Sequence, residues 1–274
     1  SESSVIGRLE RRQLVMTELV RCNRDPLEVW GVPTEAEATI KDTSPQTLTR
    51  EQSLAVEKLT PLVQRQSFRA ALLHGVTGSG KTEVYLRLAE EAVRNGRRVI
   101  VLVPEIALTL GIADSFARAF SGRVAVQHSG LSVGERHDQW HRIRSGDIDV
   151  VVGTRSAVFA PISDVGLIVV DEEHDASYKQ EESPRYHAKS VALVRGQRLG
   201  ALVVLGSATP AVETYRHAVS GRYEKVSSLE RVNERPLAQV EIVDMRREVV
   251  REGPDVVVSE PLRVRIGEVI GQGV

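Results

Sequence analysis

Six short apolar runs punctuate the middle of the chain: Ala70–His74, Arg98–Val103, Val124–Gln127, Asp149–Gly153, Leu167–Asp171 and Leu202–Gly206. They are continuously aliphatic and β-branched rather than alternating, the pattern of strands buried on both faces of a parallel sheet. Between them lie Glu83–Asn95, Glu105–Phe120, Ser132–Ser145 and Tyr186–Leu199, each long enough to be a crossover helix. The pattern predicts an α/β domain with a doubly wound, mostly parallel sheet. On either side it weakens. Residues 1–45 are polar, with an amphipathic stretch from Leu9 to Val20 and a turn-rich linker at Asp42–Pro45. Residues 236–274 hold a strand candidate, Val240–Val243, and a helix candidate, Glu260–Ile270. The expected organisation is an N-terminal extension over 1–45, a main domain over 46–235, and over 236–274 both a connection to a further lobe and its truncated start.

Composition changes this picture little. Aromatic residues make up only 4% of the 274, so the core must be built from Val, Leu, Ile and Ala. The formal net charge is −1, so a nucleic-acid partner would have to be held by a local cluster rather than by overall charge. Arg8, Arg11, Arg12, Arg21 and Arg24 form one such cluster, although these are more often a solvated helix face. Cys22 is the sole cysteine, which excludes an internal disulfide or a cysteine-cluster zinc site in this chain. No run approaches the roughly 20 apolar residues that span a bilayer, and Ser1–Gly7 lacks the pattern of a secretion signal. The expected setting is the cytoplasm, with no membrane partner. The chain starts without Met and stops at Val274 in mid-pattern, so it reads as a piece of a longer protein.

Gly75-Val76-Thr77-Gly78-Ser79-Gly80-Lys81-Thr82 fits G-x-x-x-x-G-K-[ST] and lies between a predicted strand and a predicted helix, the context the motif requires. Gly75, Gly78 and Gly80 let the backbone curl until successive N–H groups, those of Thr77 and Ser79 included, face phosphate oxygens. The N-terminus of the following helix favours the same negative charge. Lys81 would reach the β- and γ-phosphates, and Thr82 would coordinate Mg²⁺. The run Leu167–Val170 then leads into Asp171-Glu172-Glu173-His174. Asp171 is the second candidate ligand for Mg²⁺, and Glu172 is suited to polarising the attacking water. For His174 a structural hydrogen bond and a role in coupling stand side by side. ATP and Mg²⁺ are the expected cofactors, with Lys81, Asp171 and Glu172 as the catalytic set.

Three further strand ends carry polar residues: Pro104–Thr109, Gly153–Pro161 and Gly206–Pro210. In an open α/β sheet the carboxyl ends of the strands form the functional edge. Hydroxyls, glycine N–H groups and an arginine there could grip a phosphodiester backbone without reading bases. Thr154 and Arg155 are the foremost candidates, with a structural salt bridge as the plain alternative.

Taken in order, GVTGSGKTEVY, PEIALT, HSG, GTRSAVFAP, DEEHDASYKQEESPRYHA and GSATP resemble superfamily 2 helicases over about Leu48 to Thr214. More narrowly, they resemble the replication-restart family of primosomal protein N′ (PriA). The resemblance implies a RecA-like P-loop sheet and an ATP-dependent DNA helicase moving 3′ to 5′. It implies single-stranded and forked DNA as partners, primosome and single-strand-binding proteins beside them, and a monomer. Gln52 would then contact adenine, the alternative being a surface residue near a helix start. Ser207 and Thr209 would couple nucleotide state to DNA grip, with Pro104 and His174 in the same group. Tyr178, Lys179, Arg185 and Tyr186 would belong to an aromatic-rich loop that senses single-stranded DNA, with two tyrosine faces for stacking and cations for phosphate. A flexible charged loop is the plain alternative. In the family a winged-helix module precedes the motor, and a second lobe brings an arginine finger and zinc-holding cysteine clusters. Zinc has no ligands in this chain, which by itself is expected to bind nucleotide and hydrolyse it poorly. The rival readings are another superfamily 2 translocase, a primosome assembly platform without motor function, and a metabolic P-loop kinase, which would leave GSATP unexplained.

Overall fold

The computed structural model describes residues 48–104, 106–228 and 240–271, with Met16 and Pro26 as isolated positions. The chain divides into two compact units, Ser1–Asn233 and Glu234–Val274. The first unit runs α1 (Arg50–Gln64), β1 (Arg69–Gly75), α2 (Lys81–Arg94), β2 (Arg98–Leu102), α3 (Ile106–Ala119), β3 (Val124–Gln127) and α4 (Val133–Ser145). After β4 (Val150–Gly153) comes a 3₁₀ turn (Arg155–Phe159), then β5 (Val165–Val170) and a second 3₁₀ turn (Ala176–Tyr178). A short antiparallel hairpin follows, β6 (Lys179–Gln180) with β7 (Tyr186–His187). The unit closes with α5 (Ala188–Leu199), β8 (Leu202–Ser207), α6 (Val212–Val219) and β9 (Glu224–Ser228).

The main sheet has the order β3-β4-β2-β5-β8-β1-β9, and all its pairs are parallel. Alternate residues of one strand serve opposite layers. Val99 and Val101 pack with Leu59, Tyr85, Leu88 and Phe116 from α1, α2 and α3. Ile100 and Leu102 pack with Ile143, Tyr178 and Ala192 on the other face. Each such side chain contributes about 1.5–3 kcal/mol by leaving water, which is why the predicted runs show no polar alternation. Because every strand points the same way, the ends of β1, β2, β4, β5 and β8 share one edge.

All six expected strands are present to within two residues. No apolar pattern announces β9, whose only aliphatic residue is Val226. It pairs with the exposed flank of β1, Ala71 opposite Glu224 through Gly75 opposite Ser228, and an edge strand needs little apolar surface of its own. The helix expected from Tyr186 begins instead at Ala188, because Tyr186 and His187 pair with Gln180 and Lys179. In the second unit Val240–Val243 is not a strand; Val240 and Ile242 are 86% and 93% exposed, with no strand described beside them in that unit. An unforeseen helix, α7 (Met245–Glu252), starts there on Asp244, whose side chain accepts from Arg246 N, and α8 (Glu260–Gly271) lies where expected. The Leu9–Val20 stretch, the arginine cluster, the Asp42–Pro45 linker and Glu105 lie outside the described residues. No described helix is long and apolar enough to cross a membrane.

Candidate functional site

The phosphate-loop motif occupies the turn from β1 to α2. Gly78 and Gly80 have φ of 82° and 73°, left-handed values that other residues rarely adopt, and Gly80 is the residue from which α2 springs. A Cβ on Gly75 would lie 2.6 Å from Ser79 Oγ and 2.9 Å from Ser228 O, so the curl closes only on glycine. Lys81 Nζ donates to Gly75 O at 3.1 Å and lies 3.3 Å from Glu172 Oε1. Ser79 Oγ is buried without a hydrogen-bond partner among the described residues. Thr82 is half-buried in the first turn of α2, and Thr77 is exposed at the tip of the loop.

Gln52 is buried against this loop, not on the surface. Its Nε2 donates to Ser79 O at 3.0 Å and Gly80 O at 3.4 Å, while its Oε1 accepts from Thr49 N in the capping box that starts α1. It braces the curl from behind, and its Oε1, which accepts only from Thr49 N among these bonds, keeps a second lone pair for a further donor.

Two strands away, β5 delivers the acids. Asp171 Oδ1 accepts from Tyr85 Oη at 2.9 Å, and Asp171 O accepts from Tyr178 Oη at 2.6 Å. Burial pushes the Asp171 carboxyl above its usual value, opposed by the Tyr85 hydrogen bond, reinforced by Glu172 and again opposed by Lys81. Burial, with the adjacent Asp171 charge, raises the Tyr85 phenol well above its ordinary value, so it remains a donor. Glu172 holds φ of 44°, uncommon for a residue with a side chain, just where it faces Lys81 and, at 3.7 Å, His174. His174 Nδ1 lies 2.8 Å from Ser207 Oγ, and its Nε2 lies 3.3 Å from Thr209 Oγ1. Thr209 N donates back to Ser207 Oγ at 3.0 Å. The structure thus brings Lys81, Asp171, Glu172, His174, Ser207 and Thr209 into one connected group.

These residues fit a nucleotide phosphate chain with Mg²⁺. The curl presents backbone N–H groups, Ser79 has an unused hydroxyl, and Lys81 is held by groups it can exchange for phosphate. Among the described residues no cluster of three or more His, Cys, Asp or Glu could hold a metal alone. A hard cation shared between one carboxylate, a threonine hydroxyl, phosphate oxygens and water needs no such cluster.

The other predicted residues lie further along the same edge. Pro104 is buried at the end of β2, and its carbonyl accepts from Ser177 Oγ at 3.0 Å. Thr154 N donates to Gln127 O at 3.0 Å, and Arg155 Nη1 donates to Ser177 O at 3.3 Å and Lys179 O at 3.0 Å. Lys179 and Arg185 stand exposed on the hairpin. Tyr178 corrects an expectation. Its ring is fully buried in the core with its hydroxyl on Asp171, so it offers no face for a base. Tyr186 is half-buried and meets the exposed Phe159 ring edge-on, at 5.0 Å and 75°.

The sequence model of the DEAD/DEAH box helicases matches residues 49–218, a span that holds every side chain of the group just described. The chain belongs to the DEAD/DEAH box helicase family. It is 43% identical to Replication restart protein PriA of Bacillus subtilis over 273 residues, covering 100% of this chain and 33% of that protein. Against the protein of the same name from Synechocystis it is 45% identical over 226 residues, 81% of this chain and 27% of the relative. The chain thus spans about a third or less of the length of these curated relatives. The solved structure of RecG bound to a three-way DNA junction matches with a TM-score of 0.53 at 23% identity, over 80% of this chain and 30% of that one, a likeness of fold.

Three groups in this helicase-family fold carry no sequence motif that would have announced them. Tyr85, one turn beyond Lys81, passes for a core residue, yet its hydroxyl fills a notch at Gly206, where a Cβ would sit 1.7 Å from it. Glu173 reads as one more acid in a loop but is fully buried: its Oε2 accepts from Lys189 Nζ at 2.7 Å and Thr214 Oγ1 at 2.9 Å, and its Oε1 from Ala211 N at 2.7 Å. Arg195 donates to the carbonyls of Val158, Ala160 and Ile162 at 2.6, 2.9 and 2.9 Å. A buried carboxylate requires a cation, so pairing Glu173 with a lysine in the following helix was the one available signal.

Proposed function

We propose that residues 46–235 are the ATP- and DNA-binding first motor lobe of a replication-restart DNA helicase of the PriA kind, moving 3′ to 5′ on single-stranded and forked DNA. The observation that carries this reading is the convergence of the phosphate loop, the acid strand end and the Gly206–Pro210 turn on one group linked by close charged contacts and hydrogen bonds. Similarity to a replication restart protein over the whole of this chain supports the narrower assignment. In this reading the backbone of Gly75–Thr82 cradles the phosphates, and Lys81 leaves Gly75 O and Glu172 to meet the β- and γ-phosphates. Freed of Lys81, Glu172 orients water, while Thr82 and Asp171 hold Mg²⁺. Magnesium, when bound, offsets the charge on the transferred phosphoryl group. His174, Ser207 and Thr209 carry the change toward the DNA face, where Thr154 and Arg155 hold the backbone. Primosome and single-strand-binding proteins are the partners that fit such a motor. Full turnover draws on an arginine from a second lobe, so the chain alone hydrolyses ATP slowly.

The test is a thermal melt with and without ATP and Mg²⁺. Ligand at about a hundred times its Kd adds ~2.7 kcal/mol, a rise of roughly 5–10 °C. Lys81→Ala removes the rise while leaving the unliganded melt near that of the parent. A wild-type chain that shows no rise, or a variant that keeps it, refutes the nucleotide site.

A further inference from the structure

We propose that the cleft between the 3₁₀ turn after β4, the helix α4 and the β6–β7 hairpin binds one unstacked base of a single strand whose backbone lies on Thr154 and Arg155. The inference rests on reading this edge as a DNA face, and it moves the base contact from the hairpin tyrosines to the cleft around Phe159. The cleft encloses about 970 Å³, ample for a nucleobase with its sugar. Its walls carry rings the fold does not need. Phe159 is 58% exposed and Trp140 37% exposed, and Tyr186 backs the Phe159 ring edge-on. An exposed phenylalanine on a loose turn would mean little, but this turn is fixed. Arg195 binds the carbonyls on either side of Phe159 and one further along, so the ring is displayed from a rigid frame.

Charge narrows the occupant. Although 37 of the 274 residues are acidic, none of the sixteen lining residues is, and Arg136 and Arg155 are among them. His128 also lines the cleft, but burial holds its pKa down, so it adds no fixed charge. Cations beside aromatic faces suit a nucleotide: the arginines meet phosphate and the rings meet the base, whichever base it is. Bases inside a duplex are already stacked on one another, so the site selects single-stranded nucleic acid. A phosphate grip alone would leave the rings without a role.

The test compares the binding of the chain to a short oligothymidine strand and to the same strand with abasic sites at its centre, read by fluorescence anisotropy. The wild type should prefer the intact strand by about 10-fold, the scale of one base–aromatic stack. Phe159→Ala and Phe159→Leu should both erase the preference, since leucine keeps apolar bulk without a π-face, and both should melt as the parent does. Arg155→Ala should weaken both strands alike and keep the preference. Equal binding of the two strands by the wild type, with Arg155→Ala still weaker, overturns the base site and leaves the DNA face standing. A preference that survives in Phe159→Ala places the base elsewhere and also overturns it. Binding of neither strand, or indifference to Arg155→Ala, overturns the DNA face itself and leaves the cleft to a protein segment.

Discussion

The nucleotide end and the aromatic cleft share one sheet edge and are built in opposite ways. At the nucleotide end the side chains themselves are held: Lys81 by Gly75 O and Glu172, Asp171 by Tyr85, His174 by Ser207 and Thr209. At the cleft the scaffold is held and the rings are left out, with Arg195 clamping the turn while Phe159 faces solvent. On the proposed reading, the difference follows from what each region meets. Phosphates of one fixed shape suit donors set in advance, whereas a strand of varied sequence needs faces that accept any base. Substitutions of the buried groups that hold the acids at the nucleotide end should therefore disturb folding and function together, and those at the cleft rings function alone.

The sharpest way to break this contrast is Glu173→Ala. It leaves Lys189, whose side chain is 17% exposed, without its carboxylate, and Thr214 and Ala211 N without their acceptor. Removing one partner of a buried pair costs about 3–5 kcal/mol, a fall of roughly 10 °C in Tm. Because Ala211 precedes α6 directly, the variant should also loosen the Gly206–Pro210 turn and weaken nucleotide binding in the same melts. An unchanged Tm would mean that the acids of this end are not held as the geometry implies.

Why such a residue stays hidden in the sequence is a matter of range. The phosphate loop is legible because its donors are consecutive backbone groups, and the glycines they need, Gly75, Gly78 and Gly80, fall within the same short run. The strands are legible because burial on both faces leaves unbroken apolar runs. Where burial is slight the signal fails: β9 is nearly all polar, and the apolar Val240–Val243 has no partner strand described in its unit. Contacts that join distant positions leave no local mark. Lys189 answers Glu173, Arg195 answers the turn at Val158, and Tyr85 answers Asp171. Tyr178 shows the limit most plainly. In composition it matches Tyr186, a neighbour in the same charged stretch, but it closes a 3₁₀ turn that points its ring into the core.

Arg195→Ala sharpens the comparison from the other side. If the cleft depends on a fixed frame, removing the guanidinium frees three carbonyls and should cost about 2 kcal/mol. The same variant should lose the preference for an intact over an abasic strand even though Phe159 is still present. A variant destabilised to this extent that kept the preference would separate the frame from the ring, and the cleft would then owe nothing to its rigidity.

Tyr85→Phe is the mildest and most local probe. It deletes one hydroxyl and keeps the ring in the core, so the loss should be about 1 kcal/mol, the value of a single net hydrogen bond. The functional reading should be larger than the structural one. Without its donor, Asp171 loses the contact that orients Oδ1, and the Mg²⁺ concentration at which ATP raises the melt should increase several-fold while Lys81 and its loop stay intact. Gly206 supplies an internal control. Gly206→Ala would drive a Cβ to 1.7 Å from the Tyr85 hydroxyl, a clash that the phenylalanine variant relieves in part. The double variant should therefore be more stable than the sum of the two singles, because the residues touch. Simple additivity would show that the hydroxyl does not occupy the Gly206 notch, and the link from the phosphate-loop helix to Asp171 would fall with it.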